Sequence, residues 1–347
     1  MGKLIWKLAL ILIIPLAVAS MNFVIDPLQY YRRADWYLPR FYDQQRFQMP
    51  AIARTFTYDT IIMGTSMSEN ISIGMLQEEF GMTAIRGTMS GSSAFEQRMG
   101  LEVALRTGQV RNVIWDLNFL SFSGETNEVR DRDAAFPFHL YDGRWWTDFR
   151  YLLDPTMTRR SWHIITNRLP YNELLAAQEL EILNKWGRWS LFGEDIVRYS
   201  WERQTFEAGT EMIEKHGITR TMANLEENVL PLVAANPDIT FRFYFPPFSV
   251  LEYVTYAREG IFEAGLIWRL QTFDALRDFP NVQIFDFQAE REIITNFDLY
   301  MDRAHHNLEV TDWVVREIMR GEQVTREQIL ENNRAIRAMM NEFYDWQ

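Results

Sequence analysis

The sequence of 347 residues contains no cysteine and is poor in positive charge. The absence of cysteine excludes a disulfide framework, a Cys-ligated zinc or iron–sulfur site and a thiol nucleophile. Lys and Arg number 35 against 47 Asp and Glu, which gives a formal net charge of −12 at pH 7. Because no Lys/Arg-rich run offsets this charge locally, we expect no nucleic-acid partner. The hydrophobic content of 47% and the aromatic content of 14% exclude a disordered chain.

The amino-terminal segment is apolar. Lys3 and Lys7 precede an uncharged run of eighteen residues, 8–25, which is near the lower limit for a helix that spans a bilayer. The positively charged amino end is expected to stay cytoplasmic. We therefore predict that residues 1–25 form a transmembrane helix, a single-pass anchor in the cell membrane, and that everything after Asp26 is extracytoplasmic.

A cleaved signal peptide is the alternative interpretation of this segment. Ala17-Val18-Ala19 fits the small-residue rule for cleavage. The apolar run continues past that site to Ile25, which favours a retained anchor. A buried core helix would need a polar face, and the run has none. Under either interpretation the working part of the protein is extracytoplasmic.

Strand-like and helical segments alternate along the rest of the chain. The predicted strands cover residues 59–63, 82–85, 112–117, 239–245 and 282–287, and helical spacing is found at 95–106, 219–235, 260–277 and 308–320. Apolar strands separated by helices are typical of a parallel sheet covered on both faces. We therefore predict an α/β protein with a three-layer α/β/α fold and a five-stranded parallel sheet.

The remaining segments complete the predicted domain organisation. Residues 26–56 are aromatic and irregular, and we expect a juxtamembrane lead-in there. Residues 57–347 form one domain, interrupted between the third and fourth strands by a Trp-rich helical insertion, 121–216. A closing helix is predicted at 325–345, where Thr325 and Gln328 form a capping box.

One short motif follows the first predicted strand. That strand delivers Gly64-Thr65-Ser66 to the carboxyl edge of the sheet, where the sites of open α/β sheets gather. A serine in this turn can direct its hydroxyl away from the sheet, with the free N–H groups of the next helix behind it. A helix cap is the alternative role for a serine at such a turn.

A second motif, Asp302-Arg303-Ala304-His305, follows the fifth predicted strand. A carboxylate three residues ahead of a histidine can accept the ring N–H and fix the tautomer, which leaves the other nitrogen free to take a proton from a serine. His306 adjoins this motif, but adjacent histidines point in different directions, so we expect no metal. The other histidines lack a carboxylate or a second histidine at ligand spacing, and we interpret them as structural: His139, His163 and His216.

Together the two motifs and the five-strand pattern resemble the SGNH (GDSL-like) esterase and acyltransferase superfamily over residues 58–320. The chain is most similar to the membrane-anchored extracytoplasmic branch, which includes the lipoteichoic-acid D-alanylation protein DltD and the alginate O-acetylation proteins. The resemblance implies that Ser66 is the nucleophile, His305 the general base and Asp302 its orienting carboxylate. An α/β-hydrolase fits less well, because the turn reads G-x-S-x-S and that fold keeps its Asp and His far apart in sequence.

The resemblance also implies an oxyanion hole formed by the Ser66 and Gly91 N–H groups and the Asn118 amide. Gly87 is the alternative glycine and Asp116 the competing side chain, although a carboxylate would repel an oxyanion. The chain departs from the family pattern in three blocks, and the third, which carries Asn118, lacks the usual Gly before Asn-Asp. The first block reads GTSM without the usual Asp, and Arg86 stands where an Asn is common.

These residues predict a serine esterase or O-acyltransferase that needs no cofactor and works through an acyl-serine intermediate. The family resemblance implies a cell-envelope glycan or polyol polymer as the acylated partner, and an integral-membrane O-acyltransferase as a protein partner. The Trp-rich insertion is either an acceptor groove for sugar rings or a buried cap core. The alternative function is a non-catalytic envelope scaffold. A peptidase is disfavoured, because nothing in the sequence suggests a side-chain pocket for a peptide.

Overall fold

The computed structural model describes residues 2–130, 135–166 and 179–346. Its five strands are β1 (Thr60–Met63), β2 (Ala84–Arg86), β3 (Asn112–Asp116), β4 (Thr240–Phe245) and β5 (Val282–Asp286). They form one sheet in the order β2-β1-β3-β4-β5, and every neighbouring pair is parallel. The predicted α/β class with a five-stranded parallel sheet is confirmed.

Helices connect and flank these strands. In chain order the described α-helices are α1 (Gly2–Ile25), α2 (Gln45–Thr55), α3 (Ser66–Glu69), α4 (Ile73–Phe80), α5 (Ala94–Leu105), α6 (Phe138–Tyr141), α7 (Phe149–Leu152), α8 (Pro155–Thr166), α9 (Glu194–Trp201), α10 (Thr210–Lys215), α11 (Ile218–Asn228), α12 (Leu230–Ala235), α13 (Val250–Arg258), α14 (Phe262–Leu276), α15 (Arg291–Ile294), α16 (Leu308–Arg320) and α17 (Arg326–Glu342). Short 3₁₀ turns lie at Phe119–Phe122, Trp145–Thr147, Trp186–Arg188 and Phe297–Leu299. The capping box predicted at Thr325 is present at the start of α17.

The sheet is buried on both faces because its strands are apolar at successive positions. Ile61 and Met63 of β1 pack into the larger hydrophobic cluster, whereas Ile62 between them packs into a second cluster on the opposite face. This alternation is the two-residue period of a strand. The second cluster includes Val310 and Val314 of α16, which cover that face.

The long connection from β3 to β4 is helical in the part that the structure describes. It contains α6 to α12, and residues 131–134 and 167–178 of the predicted insertion lie outside the described residues. Trp201 is buried in this connection, but Trp145, Trp146 and Trp189 are more than half exposed. Its tryptophans therefore do not form a single buried core.

Part of the segment 26–56 belongs to the hydrophobic core. Leu28 and Tyr30 belong to the main hydrophobic cluster, as do four residues of α2, namely Met49, Ala51, Ile52 and Ala53. Arg46 of α2 pairs with Glu96 of α5 at 2.7 Å. Apolar residues of this segment are thus used for tertiary packing.

None of the helices formed by the described residues is both long and apolar enough to cross a membrane, so the transmembrane helix predicted for residues 1–25 is not found. Residues 2–25 do form the helix α1, but its last turns pack against α7 and α8. The buried Asn22 amide donates to the Leu152 carbonyl at 2.8 Å and to Thr158 Oγ1 at 2.9 Å. Part of the apolar run therefore lies against protein.

A rigid turn links α1 to the body of the protein. The buried Asp26 carboxylate accepts the backbone N–H groups of Tyr30, Tyr31 and Arg32 at 2.8–3.1 Å. It also accepts the Tyr151 hydroxyl at 2.7 Å. Four hydrogen bonds to one carboxylate fix the direction in which the helix leaves the domain.

Candidate active site

Ser66 is the first residue of α3 and lies at the carboxyl edge of β1. The preceding residue, Thr65, is the N-cap of this helix, and its Oγ1 accepts the Met67 N–H at 3.4 Å. Because the capping role belongs to Thr65, the Ser66 hydroxyl is not needed for it. The first N–H groups of a helix also have no intrahelical partner, which leaves the Ser66 N–H as a potential donor.

The structure brings Ser66, His305 and Asp302 into one chain of hydrogen bonds. Ser66 Oγ lies 2.7 Å from His305 Nε2, and His305 Nδ1 lies 2.8 Å from Asp302 Oδ2. Since a carboxylate can only accept, Nδ1 carries the proton and Nε2 is the acceptor for the serine hydroxyl. This is the arrangement of a nucleophile, a general base and an orienting carboxylate.

The local backbone holds the two acid–base residues in place. Asp302 Oδ1 accepts the N–H groups of Ala304 and His305, both at 2.8 Å. Burial acts to raise the pKa of Asp302, but the hydrogen bond and charge of His305 outweigh it and lower that pKa below its ordinary value. Burial likewise acts to lower the pKa of His305, and Asp302 outweighs it, so that the pKa of His305 is raised.

Two of the three proposed oxyanion donors come from loops beside Ser66. Gly91 and Asn118 line the same cavity as Ser66. The alternative, Gly87, donates its N–H to the Ile62 carbonyl at 2.7 Å and is therefore occupied by the sheet. Asn118 Oδ1 accepts the Leu120 N–H at 3.1 Å, which turns the amide nitrogen towards Thr65 at a long 3.5 Å.

Asp116, the competing side chain, lies beneath the nucleophile turn. Its fully buried carboxylate accepts the Thr65 N–H at 2.7 Å and the Ser68 hydroxyl at 2.8 Å. Burial raises the pKa of Asp116 to about 6. Gly64 packs directly over this carboxylate with a φ of 121°, and a Cβ there would overlap Asp116. Asp116 thus supports the turn that carries Ser66.

Trp186 is a site residue that the sequence motifs did not reveal. Its indole N–H donates to the Ser66 carbonyl at 3.1 Å, and its ring meets the His305 ring edge-on with centroids 5.1 Å apart. The indole therefore contacts both Ser66 and His305. The only signal in the sequence was the Trp-rich composition of the connection from β3 to β4, which does not single out one tryptophan.

Arg86 holds the segment that carries Trp186. The buried guanidinium donates to the carbonyls of Leu180, Glu181 and Leu183 at 2.7–3.1 Å. Burial lowers the pKa of Arg86 to about 10. Arg86, which stands where the family pattern has an Asn, therefore has a structural role in this chain. A neutral Asn is too short and has too few donors to make these three hydrogen bonds.

The site opens into a cavity of about 760 Å³. Residues of the connection from β3 to β4 form much of its wall, including Glu128, Arg130 and Gln204. Arg303, which stands between Asp302 and His305 in the motif, also lines it and donates to Gln204 Oε1 at 2.6 Å. The wall is polar and charged, so it suits a hydrophilic molecule better than a long acyl chain.

His306 is buried and does not line the cavity that contains Ser66. Its Nδ1 donates to the Asn307 carbonyl at 3.2 Å, and burial lowers its pKa to about 4. Among the described residues no group of three His, Cys, Asp or Glu side chains is placed to hold a metal ion.

The chain matches no known protein-family model and no curated protein sequence. Membership of the SGNH superfamily accordingly remains a proposal.

Proposed function

We propose that this protein is an SGNH-type serine esterase or O-acyltransferase that acts on acyl esters through an acyl-serine intermediate. The observation that carries this proposal is the chain of hydrogen bonds from Ser66 through His305 to Asp302 at the carboxyl edge of the sheet. A catalytically inert scaffold has no need for a serine hydroxyl 2.7 Å from an imidazole that a carboxylate orients.

In the proposed reaction Ser66 Oγ attacks the ester carbonyl carbon, and His305 Nε2 takes the hydroxyl proton. The N–H groups of Ser66 and Gly91 and the Asn118 amide then stabilise the oxyanion; removing one such donor typically costs about 3–4 kcal/mol. Collapse of the tetrahedral intermediate expels the alcohol, which receives the proton from His305. A water molecule or an acceptor hydroxyl next attacks the carbonyl carbon of the acyl-serine, and His305 takes its proton. The bond from this carbon to Ser66 Oγ then breaks, His305 returns the proton to Ser66 Oγ, and the acid or the new ester leaves.

The polar cavity supports a cell-envelope glycan or polyol polymer as the acylated substrate or acceptor. The volume of about 760 Å³ can hold several sugar units, and charged side chains line its wall. The apolar amino-terminal segment supports a location at the outer face of the cell membrane, with the catalytic domain extracytoplasmic. An integral-membrane O-acyltransferase is the protein partner that we propose by analogy with the family.

The test is ester turnover by the full chain in detergent, with p-nitrophenyl acetate as the substrate. We expect Ser66→Ala and His305→Ala to lower kcat by about 10³-fold or more. Ser200→Ala in α9 and His139→Ala in α6, which lie outside the cavity, are the matched controls and should keep the rate.

Labelling with a fluorophosphonate probe separates the two candidate functions. An enzyme with an activated Ser66 is labelled in the wild type and not in Ser66→Ala. Equal turnover in the wild type and in both site variants, together with equal labelling, would remove Ser66 as the nucleophile. That result would favour the non-catalytic scaffold.

A further inference from the structure

One face of the protein carries a group of exposed apolar side chains, which we term the aromatic surface. Its members are Trp145, Trp146, Phe149, Trp162 and Ile165, and each of them is more than half exposed. They lie in the 3₁₀ turn Trp145–Thr147 and in the helices α7 and α8. A group of large apolar side chains on a solvent-exposed face is typical of a surface that contacts a protein, a membrane or a ligand.

The aromatic surface adjoins the helix α1. Both α7 and α8 pack against α1, and the Asn22 amide bridges them through the Leu152 carbonyl and Thr158 Oγ1. Trp162 and Ile165 follow Thr158 by four and seven residues, so they continue along the same face of α8. On α1 itself the side chains of residues 12–16 are exposed. The exposed apolar area therefore continues from the body of the protein onto α1.

Exposed arginines outnumber exposed carboxylates in residues 142–166, whereas the chain as a whole is acidic. Arg144, Arg150 and Arg159 are exposed here. The guanidinium groups of Arg144 and Arg150 each lie 6.0 Å from an aromatic ring, those of Trp146 and Phe149.

Nearby carboxylates take part in local hydrogen bonds. Asp142 accepts the Arg144 N–H at 2.8 Å, and Asp154 accepts the Met157 N–H at 2.9 Å. Asp148 accepts the Tyr30 hydroxyl at 3.4 Å. Asp148 and Asp154 are half-buried and Asp142 is exposed, so the three exposed arginines exceed the exposed carboxylates by two, which favours anions at this surface.

We infer that the aromatic surface rests in the headgroup layer of an anionic lipid bilayer. Tryptophan rings favour the boundary between headgroups and acyl chains, and arginines there contact lipid phosphates. The continuity with α1 selects a bilayer as the occupant, since residues 12–16 of α1 are exposed and apolar and α1 packs against α7 and α8. This inference rests on the membrane location given under the proposed function, and it adds a second contact that fixes the orientation of the domain.

The experiment measures tryptophan fluorescence of the full chain in vesicles of three parts phosphatidylcholine to one part phosphatidylglycerol. The phosphatidylcholine is either unmodified or brominated near the carbonyl end of its acyl chains, because bromine quenches nearby indoles. The test variant is Trp145→Phe/Trp146→Phe. The matched control is Trp189→Phe, since Trp189 and Trp145 are both 79% exposed and an arginine lies 5.8 Å from the Trp189 ring. Trp6 is present in every variant, so its contribution cancels.

We expect brominated lipid to quench the wild type, and the quenched fraction to fall by about half in the double variant and not in Trp189→Phe. An equal loss in the control, or no loss in the double variant, would overturn the inference. Quenching that requires a co-reconstituted membrane protein would overturn it too, because the surface would then face protein. Ester turnover in the same vesicles reports separately on the proposed function, so failure of one is distinguishable from failure of the other.

Discussion

The hydroxyl of Ser66 lies 2.7 Å from Nε2 of His305, although 239 positions of sequence separate the two residues. The parallel sheet accounts for this contact. Ser66 follows β1, and His305 lies in the chain that follows β5, so both emerge at the carboxyl edge of the same sheet. Two short motifs at opposite ends of the domain thereby become one candidate catalytic unit.

Asp302→Asn should change the pH dependence of ester turnover. His305 must be neutral to act as a base, so the rate rises as pH increases through its pKa, which Asp302 raises above the ordinary value of about 6.5. Without the carboxylate this pKa falls, and the midpoint of the pH–kcat profile moves to lower pH. The plateau rate should drop by about 10³–10⁴-fold, because the amide no longer fixes the productive tautomer. A profile with an unchanged midpoint would contradict this role.

Asn118→Asp tests the oxyanion donor without removing the turn. The aspartate keeps the oxygen that accepts the Leu120 N–H but replaces the amide donor with a negative charge. We expect kcat to fall by about 10²–10³-fold while KM and the melting temperature stay close to wild type. Asn118→Ala removes both functions and should lower stability as well. If Asn118→Asp retains full activity, the amide is not part of the oxyanion hole.

Gly64→Ala should unfold the nucleophile turn, whereas Gly81→Ala should be tolerated. Both glycines have positive φ, but a Cβ at Gly64 overlaps the Asp116 carboxylate, and a Cβ at Gly81 meets no atom within 4 Å. Gly81→Ala should lower the free energy of unfolding by only about 1–2 kcal/mol, because its one cost is an alanine in the left-handed backbone conformation. Denaturant unfolding should show a clearly larger loss for Gly64→Ala, and ester turnover should be lost only there. Equal losses of stability would mean that the turn can move away from Asp116.

Trp186→Phe should slow catalysis without abolishing it. Phenylalanine keeps an aromatic edge beside His305 but lacks the N–H that donates to the Ser66 carbonyl. We expect about a tenfold lower kcat with little change in KM, since one hydrogen bond that positions the nucleophile is lost. Trp189→Phe, in the same segment but without a hydrogen bond to Ser66, is the control. A Trp186→Phe enzyme with wild-type kcat would show that the indole only packs there.

The sequence predicted the features that depend on local patterns. Apolar runs bounded by turn residues predicted all five strands, and the spacing of Asp302 and His305 is itself a local feature. The supporting contacts depend on pairs that are distant in sequence. Trp186 meets Ser66 across 120 positions, and Thr65 meets Asp116 across 51. Neither the hydrophobic periodicity nor the spacing of residues indicates such contacts. They arise only when the strands and the connection from β3 to β4 fold together.

The segment 26–56 shows the same limit. Its irregular aromatic sequence has the composition of an interfacial lead-in, and burial of Met49 and Ala51 follows from the position of α2 beside α5. The structure likewise reassigns Asp116 from a rival oxyanion group to the support of the turn. In both cases the residue type is compatible with two environments, and only the tertiary fold selects one.

The turn at Asp26 has a mechanical consequence. If a flexible linker joined α1 to the rest of the protein, the distance between α1 and the cavity at Ser66 would vary over a range that grows with the square root of the linker length. Here the Asp26 carboxylate accepts four hydrogen bonds in place of such a linker. In addition, the Asn22 amide of α1 donates to the Leu152 carbonyl of α7. The distance between the amino-terminal helix and Ser66 is therefore a fixed dimension of the molecule. Under the proposed function, the active site therefore works at one distance from the membrane, and its substrate has to be delivered to that distance.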